Sequence, residues 1–201
     1  MLTVTLIFST VLSLAAQADP PDPIVDFAVK NCKRVSVDRH DKAYEVASIL
    51  YGIEAQYNVP LELKGMILAA GCMESGFNPR ATGDRKFSKS GKKPMAIGVL
   101  QLWGYYEKAY GTDRTNPQSS AEGWMKHIAK MLPKVKKQCK FKTQEKIWVA
   151  AWVTGIRYKK PGGRCRERPK HLRLLRKRKK LIAKSSHVTH HVDSDNSHIK
   201  Q

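Results

Sequence analysis

The chain has 201 residues, with 37 Lys and Arg against 17 Asp and Glu, and its formal charge of +20 marks polyanions as its natural partners. After the first 18 residues no apolar run approaches the roughly 18 residues that a membrane-crossing helix needs, the longest being the nine residues Gly65 to Met73, which excludes a helical span there. The composition does not suit a disordered chain either, since 41% of the residues are apolar, enough for one domain with a core.

In chain order, Met1 to Ala18 carries no charge and ends in Ala16-Gln17-Ala18 after an apolar stretch, the pattern of a secretory signal, although it lacks the usual basic start. No Cys follows the cleavage point, so a lipid anchor is not expected. Residues 19–41 read as an N-terminal extension and residues 42–183 as a single domain. Asp41 is placed to cap a helix over Lys42 to Tyr57, in which Ala43, Val46, Ala47, Leu50 and Ile53 recur at helical spacing. Pro60 suits the first turn of a second helix reaching Ser75. Ser119 or Ser120 opens a third, with Trp124, Ile128, Met131 and Leu132 facing inward, and Thr143 caps a fourth that runs to Gly155. Pro169 opens a last one ending near Ala183. Alternation of the strand kind is scarce, so the expected class is mainly α, with at most a short β-hairpin in the 82–97 interval. Residues 184–201, with His187, His190, His191 and His198, read as a disordered tail.

An exported chain meets an oxidising compartment, where Cys32, Cys72, Cys139 and Cys165 allow three pairings. The favoured pair is Cys139 with Cys165, both in polar connectors. Cys72, on a buried helix, reads equally as an inert free thiol. The spacings do not suit a zinc site, and no metal or cofactor is expected.

The residue that carries most chemistry is Glu74. In a continuous helix from Pro60, Leu63, Ile67 and Ala70 form an apolar stripe whose next position is Glu74. A carboxyl in apolar surroundings, in the last turn of a helix, resists ionisation and can serve as a proton donor. The bland reading is an acid paired with a Lys or Arg.

Glu74-Ser75-x-Phe77-Asn78-Pro79-x-Ala81, followed after an insertion by Gly98-Val99-Leu100-Gln101-Leu102, resembles the catalytic signature of the soluble lytic transglycosylases, a branch of the lysozyme-like superfamily. Pro60-Leu61 is similar to the start of that family's catalytic helix, and Ser120 to Leu132 to its later amphipathic helix. Ala151-Trp152-Val153-Thr154-Gly155 stands where the family has Ala-Tyr-Asn-Ala-Gly. The resemblance spans about residues 42–183. It implies a lysozyme-like helical fold and cleavage of peptidoglycan between N-acetylmuramic acid and N-acetylglucosamine, leaving a 1,6-anhydro end. Glu74 would be acid and then base, with Ser75 beside it and Gln101 on the sugar.

Two departures from the family mark this chain. The interval from Ala81 to Gly98 is longer than usual and basic, and Trp152-Val153 replaces a Tyr-Asn pair with side chains that accept no hydrogen bond. Trp103, Trp152 and Tyr158 complete the candidate substrate contacts, Trp103 as a stacking platform and Tyr158 as one source of the missing hydroxyl. A goose-type lysozyme-like hydrolase, with Asp84 as second acid, and a non-catalytic cationic wall-binding protein are the alternatives. Export places the protein in a periplasm or outside the cell. From Arg157 to Lys184 there are 14 basic residues and one acid, so +13 of the charge lies in a segment suited to anionic wall polymers or lipopolysaccharide, or simply to a solvated helix face. A dedicated nucleic-acid role is not expected of an exported chain.

Overall fold

A computed structural model describes residues 22–85 and 93–154, together with 171, 173 and 176; of Val153 and Thr154 only the backbone is included. Residues 1–21, with the expected signal, and Cys165, Tyr158, most of the basic 157–184 segment and the expected tail lie outside the described residues. Among those described, six α-helices and one small sheet form the fold, which is mainly α.

Helix α1 (Pro23–Lys30) lies in the stretch read as an extension. Asp22 caps it, accepting from the amides of Ile24 and Val25, and Pro23 occupies the first turn, where a missing N–H costs nothing. Val25, Ala28 and Val29, at i, i+3 and i+4, are buried in the common core. Helix α2 (His40–Ala55) buries Ala43, Val46, Ala47, Leu50 and Ile53, the stripe expected of it. Asp41 is not its cap. A 3-10 turn at Val37–Arg39 runs straight into the helix, so Asp41 falls within the first turn, where its charge complements the helix N-terminus.

The expected helix from Pro60 to Ser75 is two elements. A 3-10 turn at Leu61–Leu63 ends at Lys64, whose ψ of 137° is extended, and Gly65 then takes a left-handed φ of 81° before α3 (Met66–Glu74) begins. The stripe Leu63, Ile67, Ala70, Glu74 therefore crosses a break. Nor does α3 have one apolar face, because Met66 through Cys72 are all buried.

Three two-residue strands form an antiparallel meander, β1 (Thr82–Gly83), β2 (Ala96–Ile97) and β3 (Leu102–Trp103). Thr82 pairs with Ile97 and Gly83 with Ala96, which is the hairpin expected of the 82–97 interval; β3 adds a further strand. A short α4 (Tyr105–Tyr110) follows, closed by left-handed Gly111. Helix α5 (Pro117–Gln138) starts earlier than Ser119. Asn116 is its cap, accepting from the Ser119 amide, while the Ser119 and Ser120 hydroxyls bond the preceding loop. Its Trp124, Ile128 and Met131 are buried and Leu132 is half-buried. Helix α6 (Gln144–Thr154) follows Thr143, whose hydroxyl accepts from the Lys146 amide as a cap. Helix α5 packs on α6 and α2, and α2 packs on α1 and α3, so α3 lies inside the bundle.

The cysteines correct one expectation. Cys72 is not a free thiol: it is bridged to Cys32, just beyond α1, across 40 residues of chain. Cys139 is also disulfide-bonded, and its expected partner Cys165 lies outside the described residues.

Candidate functional site

Glu74 is the last residue of α3, half-buried, at the end of a helix enclosed by the core. Both flanks of that helix end are tied down. Two residues earlier, Cys72 is bridged to Cys32, and the Arg34 guanidinium donates to the Glu74 backbone carbonyl at 2.9 Å. That contact satisfies one of the carbonyls that a helix end leaves open.

The turn after Glu74 is unusually constrained. Gly76 has φ 64° and Phe77 φ 60°, with the Phe77 ring buried against Gly71. Any Cβ on Gly76 would meet the Arg34 backbone and side chain, so glycine is required twice over. Ser75 fastens this turn to the rest of the signature. Its hydroxyl donates to the Val99 carbonyl at 2.8 Å and accepts from the Asn78 amide at 3.0 Å. Residues 74–81 and 98–102, separated by the long insertion in sequence, thus meet through Ser75, and the Gly98 amide adds a backbone bond to the Ala81 carbonyl at 2.9 Å. Asn78 shapes the turn, its carboxamide oxygen accepting from the Arg80 amide. Replacing Ser75 with Ala removes the long-range bond to Val99 and the local bond from Asn78, and leaves the carbonyl of buried Val99 without that donor, so we expect a loss of about 1–2 kcal/mol in chemical denaturation.

Gln101 has φ 49°, and its amide nitrogen donates to the Ala81 carbonyl at 3.0 Å and the Gly98 carbonyl at 2.9 Å. Both N–H groups are spent on the loop. The amide oxygen remains, lying against Gly83, where any Cβ would collide with it. The only group Gln101 offers a ligand is therefore an acceptor. Arg114 braces the same region, donating to the carbonyls of Met95 and Leu102 and pairing with Glu107 at 2.7 Å. Gly98, at φ 84°, sits where a Cβ would overlap the Arg114 carbonyl. Gly98→Ala combines backbone strain with a clash against rigid backbone, and should lower stability by at least about 2 kcal/mol, read as a reduced melting temperature.

The remaining expected contacts are dispersed. The Trp103 indole donates to the exposed Asp84 carboxylate at 3.0 Å, which ties β3 to the end of β1 and fixes the ring. Trp152 is half-buried on α6, edge-on to Trp124 at 5.5 Å and to His171 at 5.1 Å; it packs on the core. Tyr158 lies outside the described residues.

Several polar residues had no place in the sequence reading. Glu54, in the last turn of α2, is 2% exposed, and burial pushes its carboxyl up to about 7 against the opposing pull of backbone amides and Lys64. Arg34 and Arg114 bond backbone carbonyls, a role with no local sequence signal. His127, buried on α5, bonds the Tyr110 hydroxyl at 3.1 Å; burial, then Lys130 and Lys134, hold it down to about 4, so it is neutral near pH 7. No group of His, Cys, Asp and Glu that could hold a metal occurs among the described residues, and no described helix is long and apolar enough to cross a membrane.

Compared with known proteins, the chain matches no family model, no curated protein and no solved structure.

Proposed function

We propose that the protein is a peptidoglycan lytic transglycosylase with Glu74 as its single catalytic carboxyl. The observation that carries this reading is the Ser75 bridge. The hydroxyl beside the candidate acid holds the Val99 carbonyl, two residues before Gln101, so both halves of the Glu-Ser…Gly-x-x-Gln signature belong to one constrained surface. A site that must hold a carboxyl against a bound sugar benefits from a turn and a loop that cannot drift apart.

In the proposed reaction Glu74, protonated, gives its proton to the glycosidic oxygen between N-acetylmuramic acid and N-acetylglucosamine as that bond breaks and the electron pair leaves with the oxygen. The carboxylate then takes the proton of the muramyl 6-hydroxyl while that oxygen bonds to the anomeric carbon. The enzyme ends in its starting state and no water is consumed. Gln101 contributes its free amide oxygen, which suits a sugar hydroxyl or an acetamido N–H. Trp103, held by Asp84, offers a fixed ring for stacking.

Export belongs to the same proposal. The Cys32–Cys72 disulfide is compatible with an oxidising compartment. Exposed Lys130, Lys134 and Lys137 form one stripe of α5, a surface for anionic wall polymers. Mass spectrometry of peptidoglycan digested by the full chain tests the reading: anhydro-muramyl ends are expected. Reducing ends alone would assign a hydrolase, and no released fragments from several walls would favour the wall-binding alternative.

A further inference from the structure

The residue that starts α3 has no side chain to cap it. Gly65 is the N-cap, and a helix start leaves up to four amides without an internal partner. Here the partner comes from a different helix. Glu54 Oε2 accepts from the Gly65 amide at 2.6 Å and Oε1 accepts from the Ile67 amide at 2.9 Å. The two ends of this contact are joined by a connector containing the 3-10 turn and the extended Lys64, so Glu54 closes the connector as well as capping the helix.

The groups acting on the Glu54 charge are few. Lys64, on the connector, is exposed and attracts it; Tyr51, one turn earlier on α2, feels its charge in return, as it does that of Asp22; the α3 amides supply the rest. No ion pair to Glu54 occurs among the described residues. An ionised carboxyl there is held mainly by backbone amides, with Lys64 adding a weaker attraction, in a place that water does not reach.

Helix α3 has nine residues and ends on Glu74, roughly 12 Å from its start at 1.5 Å per residue. Its far end is fixed by the Cys32–Cys72 bridge, by Arg34 and by Ser75. Its near end is fixed by Glu54. We propose that Glu54 is a positioning residue: by bridging α2 to the first amides of α3 it sets where the helix that ends on Glu74 begins. The functional half of this inference rests on Glu74 being the catalytic acid; the hold on α3 does not.

The bridge also carries a pH dependence, whose direction follows from linkage. Burial raises the Glu54 carboxyl above its unfolded value of 4.5 to about 7, so the closed helix start binds the proton more tightly than an opened one. The hold is complete below the unfolded value and weakens as the pH rises through about 7. Gln at this position keeps the size and cannot ionise.

Amide hydrogen exchange on the full chain between pH 5 and 8, corrected for intrinsic rates, reads the hold directly. Protection of the Gly65 to Ala70 amides in the wild type should fall at least about tenfold across that range, while Glu54→Gln should change less than about twofold. A carbon-13 titration of the wild-type Glu54 carboxyl should share its midpoint, a measurement that needs no variant to fold. On cell walls, assayed well below its melting temperature, Glu54→Gln should lower kcat about fivefold or more with KM unchanged, and Glu54→Asp should recover part of the loss. Equal protection of the Gly65 to Ala70 amides in wild type and Glu54→Gln at pH 5 would overturn the hold. Unchanged kcat in a variant with altered exchange would overturn the positioning role, with the transglycosylase reading intact. Absence of cleavage by the wild type would overturn that reading and the positioning role with it, leaving the exchange profile to decide the hold.

Discussion

Glu74→Gln should abolish glycan cleavage, by at least about a thousandfold, and leave the fold intact. The size follows from the double duty of the carboxyl. As an acid it supplies the proton without which the leaving oxygen departs as an alkoxide, and as a base it removes the proton of the attacking hydroxyl; one such role is worth about 10²- to 10⁴-fold. Gln fills the same volume and does neither. The stability side is just as specific. Gln keeps the volume and the polar oxygen of a protonated carboxyl, so the melting temperature should stay close to that of the wild type. A residue whose removal costs activity and no stability is held in place for chemistry. Muropeptide release followed by mass spectrometry, beside a thermal melt, measures both. Undiminished cleavage in the variant would refute Glu74 as the acid.

The largest expected effect on stability comes from the Cys32–Cys72 bridge. Replacing both residues with Ala frees a 40-residue loop in the unfolded chain, which the chain-entropy estimate values at about 4 kcal/mol. For a chain of this size that is a fall of about 10 °C in melting temperature. Both sulfurs are buried, Cys32 at 2% and Cys72 at 7% exposure, so mild reductant should act slowly on the native protein while the double variant shows the full loss. Helix α1 is the element most exposed to the change. Its eight residues are too few to be stable alone, and the bridge joins the segment just beyond it to α3. Chemical denaturation of the double variant tests this, and a loss under about 1 kcal/mol would show that the loop is already restrained in the unfolded state.

Local pattern was enough wherever a helix has one wet face and one dry one. Ala43, Val46, Ala47, Leu50 and Ile53 on α2, and Trp124, Ile128 and Met131 on α5, are buried as their spacing requires. Thr143 before α6 acts as a cap for the same local reason. The short α1 had equally local signals in Asp22, Pro23 and the Val25, Ala28, Val29 triplet, but three buried positions make a weak period.

The pattern argument failed instructively on α3. An acid on an apolar stripe is a sound signal of burial, and the chain contains one: Ala43, Ala47, Leu50 and Glu54 advance by four, three and four along α2, and Glu54 is 2% exposed. Applied to Glu74 the same rule assumed a continuous helix from Pro60, whereas Gly65 breaks it and the buried Met66 to Cys72 run has no face to extend. Glu74 is half-buried by its place in the turn, not by a stripe.

Helical period therefore determines the mainly α class of the fold and the course of its longer helices, because each depends on residues close in sequence. The cysteine pairing, the cap lent by Glu54 and the closure of residues 74–81 onto 98–102 through Ser75 and Gln101 belong to the tertiary structure alone. Each joins groups 11 to 40 residues apart, and such contacts form only once packing has removed their water and fixed their geometry, which no local pattern encodes.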